Sequence, residues 1–362
     1  MNKDAKNQTN KVWGKMWGKM GGRLLWMVAA IILGAALTLQ GYAIVVQREG
    51  HSPLPPLFGN FPANRAVLEG QSEKDAFSFA VVGDARSGAT FERIAEDLRG
   101  RPLDFAVLLG DIAYNGSEKY HRYFRAECAQ EYALPYPVFY VVGNHDVRID
   151  RFPVRRFEQE YGPSIFSFEY QQCLFIVLRI LPAPFSNEES IRFLRGFIGV
   201  PQEKYRHRFV FMHIPPPISS DFVARSFPEH GQIVQLFDKV GVDYVFAGDY
   251  HGYARTRLRD TTYIVSGGGG APLKEVKGRQ FHHALVIRVG KDFVTEKFVY
   301  VQKVNDLEDR LEKLAIVEVW PWMAKHKALI ILIDVLIFML LLVLLRPVVV
   351  PALPKKRRAE NV

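Results

Sequence analysis

Five short apolar runs in this chain each end on a residue able to bind a cation, and that recurrence narrows the possible folds more than any other feature. Residues 77–82 run into Gly83-Asp84-Ala85-Arg86, 105–109 into Gly110-Asp111-Ile112-Ala113-Tyr114, and 138–142 into Gly143-Asn144-His145-Asp146. The run 209–212 delivers His213, and 244–247 delivers Gly248-Asp249-Tyr250-His251. Short, nearly unbroken apolar runs suit strands covered on both faces. A sixth candidate strand lies at 174–178, and stretches with helical spacing separate the runs at 90–98, 118–130, 188–198 and 231–240. Strands alternating with helices predict a layered α/β fold. In open α/β sheets ligands collect beyond the carboxyl ends of the strands, so the five tips are expected to meet. A glycine ahead of the ligand lets the chain turn sharply off the strand. After residue 254 the pattern is strands alone to about residue 301, followed by a charged, helix-like stretch at 305–319.

The order Gly-Asp, Gly-Asp, Gly-Asn-His-Asp, His and Gly-x-x-His resembles the calcineurin-like metallophosphoesterase superfamily over residues 76–290, with Gly-Asn-His-Asp its most specific element. The glycine-rich run at 263–272 is similar to a segment of its extracytoplasmic members. The resemblance implies a four-layer αββα sandwich holding two metal ions, expected to be iron, manganese or zinc, and a phosphoester substrate. Carried over by matching position, it implies Asp111 as the carboxylate shared by both ions. It implies Asp84 and His251 as ligands of the first ion, Asn144 and His213 as ligands of the second, and His145 as the group that protonates or positions the leaving group. Two cations joined by a carboxylate suit this chemistry, because a phosphoester is anionic and repels hydroxide.

Two positions depart from the family pattern. Arg86 stands where most members have a histidine, and a guanidinium cannot coordinate a cation. Tyr114, three residues after Asp111, is similar to the purple acid phosphatase branch, where a tyrosine at that spacing is an iron(III) ligand; the other reading is a tyrosine packed in the loop. Arg86 is then free to meet the substrate phosphate, or else forms a surface salt bridge. Asp249 occupies the place of a histidine bound to the second metal. A carboxylate there either serves as a harder donor with a shifted metal preference or leaves the second site crippled.

Other features carry less. The glycines at 267–270 lack the Lys-Ser/Thr of a phosphate-binding loop and read as a tight turn near the site. His121, His207, His230, His282 and His283 have no partner at ligand spacing on an identified strand tip. Cys128 and Cys173 are too few for a disulfide scaffold and read as buried thiols, with a single disulfide as the competing reading.

The chain's 362 residues carry a net charge of +9, and its placement decides what that charge means. Lys3, Lys6, Lys11, Lys15, Lys19 and Arg23 stand against Asp4 at one end, and Arg346, Lys355, Lys356, Arg357 and Arg358 against Glu360 at the other. These tails hold the entire excess, so the stretch between them offers no basic surface for nucleic acid. Each tail borders an apolar run, 24–46 and 328–345, and Asp334 is the only charge inside either. Both runs are long enough for membrane-spanning helices, and basic outer flanks place both termini in the cytoplasm. The expected order is a basic tail (1–23), a transmembrane helix (24–46), a Pro-containing spacer (47–75), the metallophosphoesterase domain (76–302), a linker helix (303–327), a transmembrane helix (328–350) and a basic tail (351–362), with the domain periplasmic or extracellular. A cleaved signal peptide is the competing reading of the first run. For the whole chain, a membrane-anchored hydrolase acting on a phosphoester near the bilayer competes with a silent scaffold that keeps the fold.

Overall fold

The computed structural model describes residues 3–218, 227–274 and 279–349 and divides into two units. The larger, Val46–Val317, is a sandwich of two sheets. One sheet holds β1 (Phe77–Val82), β2 (Phe105–Leu108) and β3 (Val138–Tyr140) in parallel, and extends through the antiparallel β10 (His282–Val289) and β11 (Val294–Val301). The other runs β4 (Phe166–Tyr170), β5 (Cys173–Val177), β6 (His207–Phe211), β7 (Tyr244–Ala247), β9 (Thr261–Ser266) and β8 (Tyr253–Leu258), with β5, β6, β7 and β9 parallel.

Three apolar clusters define four layers. The inner faces of both sheets meet in an aromatic cluster that includes Phe79, Phe105, Phe175, Phe209 and Phe246. Phe79 stacks on Phe105 at 4.9 Å and meets Phe175 edge-on at 5.8 Å, the offset and perpendicular geometries that ring quadrupoles favour. The outer face of the first sheet is covered by α3 (Ala89–Arg99), α4 (Glu118–Gln130) and α5 (Val154–Tyr161), which contribute Ile94, Phe124 and Phe157 to a second cluster. The outer face of the second sheet is covered by α6 (Glu188–Arg195) and α7 (His230–Val240), which bury Leu194 and Phe237 in a third. The expected αββα layering follows from strands that are apolar on both faces.

The stretch expected to be a bare spacer is partly structured. Asn60 caps α2 (Phe61–Glu69) by accepting from Ala63 N, and Asn64 in that helix donates to the Val138 carbonyl at 2.9 Å. Gly59 N also donates to Val138 O, and Val138 N donates to Leu57 O. This segment therefore covers the otherwise unpaired edge of β3, where an open ladder would invite association. Strand β4 carries an alternating buried pattern and pairs with β5 across a two-residue turn; it was not among the expected strands. Cys128 and Cys173 are both buried free thiols, so no disulfide joins them.

The second unit comprises residues 1–45 and 318–362. The basic tail and first apolar run form one helix, α1 (Lys3–Glu49), rather than a tail followed by a helix. Of the linker stretch, α8 (Leu307–Leu314) belongs to the larger unit, a π-helical turn (Ala315–Val319) crosses the boundary, and α9 (Trp320–Lys325) and α10 (Lys327–Val349) belong to the second. Among the described residues, Leu25–Glu49 is a helix long and apolar enough to cross a membrane, with a mean hydropathy of 2.0. The tail 351–362 and the last residue of the expected second span lie outside the described residues.

Candidate metal centre

The strand tips converge. Ligand atoms of Asp84, Asp111 and His251, from the ends of β1, β2 and β7, all lie within 4.8 Å of one another. Beside them, His213 Nε2 is 3.3 Å from Asp111 Oδ1, 3.1 Å from Asn144 Oδ1 and 4.0 Å from Asp249 Oδ1. Asp111 therefore stands between the two groups.

The backbone at these tips is bent to serve the side chains. Asp84, Asp111 and Asp249 all adopt left-handed conformations, with φ of 58°, 52° and 60°. Aspartate tolerates this region better than most residues, yet each such position costs of order 1–3 kcal/mol, and such strain clusters at functional sites. Gly110, at φ 90°, has no alternative: a Cβ there would lie 2.8 Å from His213 Nδ1. The glycines at 267–270 lie against the β1 tip. Gly269 N donates to Gly83 O, and Ala271 N donates to Asp84 O.

The histidine orientations follow from their second nitrogens. His213 Nδ1 lies 2.7 Å from the Leu109 carbonyl and His251 Nδ1 lies 2.6 Å from the Pro272 carbonyl, so each ring donates through Nδ1 and turns Nε2 inward. Both oxygens of Asp84 and Nε2 of His251 are buried without a hydrogen bond. Across the other half of the site, the inward Nε2 of His213 meets the acceptor oxygen of Asn144. Orphaned acceptors at this density are costly unless a cation or proton lies among them, and the oxygen and imidazole donors suit iron, manganese or zinc.

The electrostatics agree with that reading. Burial pushes the Asp84 carboxyl up. Burial works against ionisation of Asp111 as well, but His213, His145 and Arg86 together hold it below its ordinary value. Burial opposes a charge on His213, yet Asp111, Asp84 and Asp249 overcome this and raise it to about 9. The pocket thus draws positive charge inward.

His145 and Arg86 flank Asp111. The His145 backbone N–H donates to Asp111 Oδ1 at 2.8 Å, while its Nε2 lies 3.9 Å from Asp111 Oδ2 and its Nδ1 is 2.9 Å from the Tyr114 carbonyl. Arg86 Nη2 lies 3.3 Å from Asp111 Oδ2, and its side chain is 15% exposed, so it is an internal ion-pair partner and not a surface one. Tyr114 is 46% exposed. Its ring lies under the Arg86 guanidinium at 5.8 Å and packs against Tyr120 at 5.3 Å.

Two residues at the site were absent from the sequence expectations. The Asp146 carboxylate accepts from Asp111 N at 2.8 Å, Ala113 N at 3.0 Å and Gly143 N at 2.8 Å, tying the β2 and β3 loops together. Its place in Gly-Asn-His-Asp was the available signal. His121 is a support rather than a ligand: Nε2 lies 2.7 Å from the Asp146 carbonyl and the ring stacks on Phe152. Lys313 of α8 is the other; its ammonium lies 5.0 Å from the Tyr114 ring centre, with no sequence signal linking it to the site.

Comparison with known proteins places this arrangement in a class. Residues 77–253 match the family model described as calcineurin-like phosphoesterase. Residues 77–253, just under half of the chain, therefore resemble a calcineurin-like phosphoesterase domain. Among the curated relatives, the serine/threonine-protein phosphatase CPPED1 of Bos taurus is 26% identical over 230 residues, covering 58% of this chain and 72% of the relative. Its Danio rerio counterpart is 28% identical over 196 residues, covering 49% of this chain and 62% of the relative, so the match spans under two thirds of that protein. A dimetal phosphatase structure from Danio rerio shares the fold with 13% identity and a TM-score of 0.50, covering 63% of this chain and 98% of that one.

Proposed function

We propose that the site is a dinuclear centre that hydrolyses a phosphomonoester or phosphodiester. The observation that carries this reading is the set of buried, unpartnered acceptors on Asp84 and His251 within reach of Asp111. Asp84, Asp111 and His251 would hold one ion, with Tyr114 as the added ligand that its spacing from Asp111 suggests. Asp111, Asn144, His213 and Asp249 would hold the other. Bound ions would supply positive charge for the phosphoryl oxygens and lower the pKa of a coordinated water.

The chain's own groups do the rest. His145 is fixed through Nδ1 by the Tyr114 carbonyl, so Nε2 delivers a proton to the departing alkoxide from the imidazolium form, which burial disfavours and the neighbouring Asp111 favours. Arg86 is held by Asp111 with a fixed positive charge available to a substrate phosphate oxygen. Burial of the site removes competing water and strengthens both interactions.

The reading extends to the membrane. The apolar runs in α1 and α10 form a two-pass anchor with both termini cytoplasmic and the domain outside. Support comes from the basic flanks and from Gln40 and Asp334: with the Gln40 amide oriented to donate, its nitrogen lies 2.7 Å from Asp334 Oδ1. Side chains such as Ile331, Leu336 and Phe338 are exposed along α10, as lipid-facing residues would be.

The test is hydrolysis of an alkyl phosphate by the purified full chain loaded with iron, manganese or zinc, alongside Asp111→Asn. Activity lost together with bound metal in the variant supports the proposal. A chain that takes up none of these ions and hydrolyses nothing is the scaffold instead.

A further inference from the structure

A cavity of about 460 Å³ opens directly beside the candidate catalytic group. Asn144 and His145 line one side, and Val147, Ile149 and Phe185 are among the apolar residues that line the rest. Its volume falls in the range of small-molecule sites, roughly 300–1,000 Å³. Of the charged residues at the cavity, Arg148 lies 3.9 Å from the Asp150 carboxylate, which Arg151 also approaches at 3.3 Å. Ile149, in the wall of the cavity, is 60% exposed and so open to a bound group.

We propose that this cavity receives the alcohol portion of the substrate, and that the alcohol has an apolar body. Resting on the hydrolase reading above, the inference names the substrate class: small phosphoesters of hydrophobic alcohols rather than phosphoserine in a protein. Position supports it, because the group that leaves must lie within reach of His145, and the wall beyond His145 is this one. Apolar atoms of Val147, Ile149, Pro182, Pro184 and Phe185 make up most of that wall.

The experiment compares cyclohexylmethyl phosphate with ethyl phosphate, using the metal-loaded full chain. Both are primary alkyl esters whose alcohols have similar acidity, so a difference in kcat/KM reports the pocket and not the leaving group. The proposal predicts a preference of roughly tenfold for the larger ester, the scale that apolar contacts give in an enzyme pocket. Ile149→Ser should bring the ratio of the two kcat/KM values down several-fold. Because Ile149 is exposed, its replacement does not threaten the fold; Phe185→Ala is the second variant.

Equal rates for the two esters would overturn the proposal, as would an unchanged ratio in both variants or a phosphoserine peptide that outperforms cyclohexylmethyl phosphate. Binding of cyclohexylmethylphosphonate, which is not hydrolysed, separates the two claims. If no ester turns over yet the phosphonate binds and Ile149→Ser weakens it, the pocket stands and the hydrolase reading falls. If esters turn over but the phosphonate binds no better than ethylphosphonate, the pocket falls alone.

Discussion

The ammonium of Lys313 lies 5.0 Å from the centre of the Tyr114 ring, joining α8 to the loop that follows β2. Tyr120 and Tyr123 stand at 5.9 Å from the same ammonium, so three aromatic rings surround it. Arg86, the ion-pair partner of Asp111, lies against the same Tyr114 ring. Loss of the Lys313 charge is therefore expected to loosen Tyr114 and, through it, Arg86. A cation–π contact contributes about 0.5–2 kcal/mol, and Lys313→Gln should lower kcat/KM about three- to tenfold, with Lys313→Arg restoring most of it. Full activity in Lys313→Gln would show the cage to be merely structural.

Asp146 holds three backbone N–H groups of two site loops. Asp146→Asn weakens that acceptance without changing volume, and the expected result is a 10- to 100-fold loss of metal affinity, the scale for groups that orient ligands. Metal titration with circular dichroism checks it. Unaltered affinity in a folded variant would contradict the role.

His145→Ala removes the ring but keeps the backbone N–H that binds Asp111, so metal content should persist. The rate for an alkyl phosphate should fall by about 10²–10⁴, and for an aryl phosphate by much less, because a phenolate leaves without a proton. Equal losses for both esters would argue against proton delivery.

Glu127 gives a pH prediction away from the metal ligands. Burial, then the charges of Glu312 and Asp309, raise it from 4.5 to about 9. The folded chain therefore holds this proton where the unfolded chain has released it. Its stabilising contribution is complete below about pH 4.5 and is lost as pH rises toward 9. Glu127→Gln should flatten this slope and raise Tm at pH 8–9 by a few degrees, at about 2–4 °C per kcal/mol. Parallel Tm–pH curves for variant and parent would refute it.

Much of the site was legible because metal chemistry restricts the choice of residue and because strand ends place ligands predictably. Asp84, Asp111, Asn144, His213 and His251 could be named from their positions after apolar runs, and the structure brings all five together. Asp146 was passed over although it belongs to the same motif, since its work is to hold backbone and not to meet an ion. Lys313 was invisible: its role comes from the packing of α8, and nothing in a charged amphipathic stretch says which lysine turns inward. Helix α2 was hidden for a related reason. Four prolines in a short stretch read as a spacer, but Pro62 sits in the first turn of a helix, where its missing N–H costs nothing. The buried pair of Arg86 with Asp111 was not foreseen, because the expected alternatives were a substrate contact or a surface salt bridge and nothing in the spacing of two loops shows that they pair.

The account depends on cations meeting these acceptors, and metal stoichiometry measured together with turnover tests that most directly. The purified full chain, reconstituted with iron, manganese or zinc, should bind two ions per chain and hydrolyse an alkyl phosphate, and Asp111→Asn should lose both properties together. Activity that survives complete removal of metal, or a folded chain that binds no ion at any concentration tried, would contradict it.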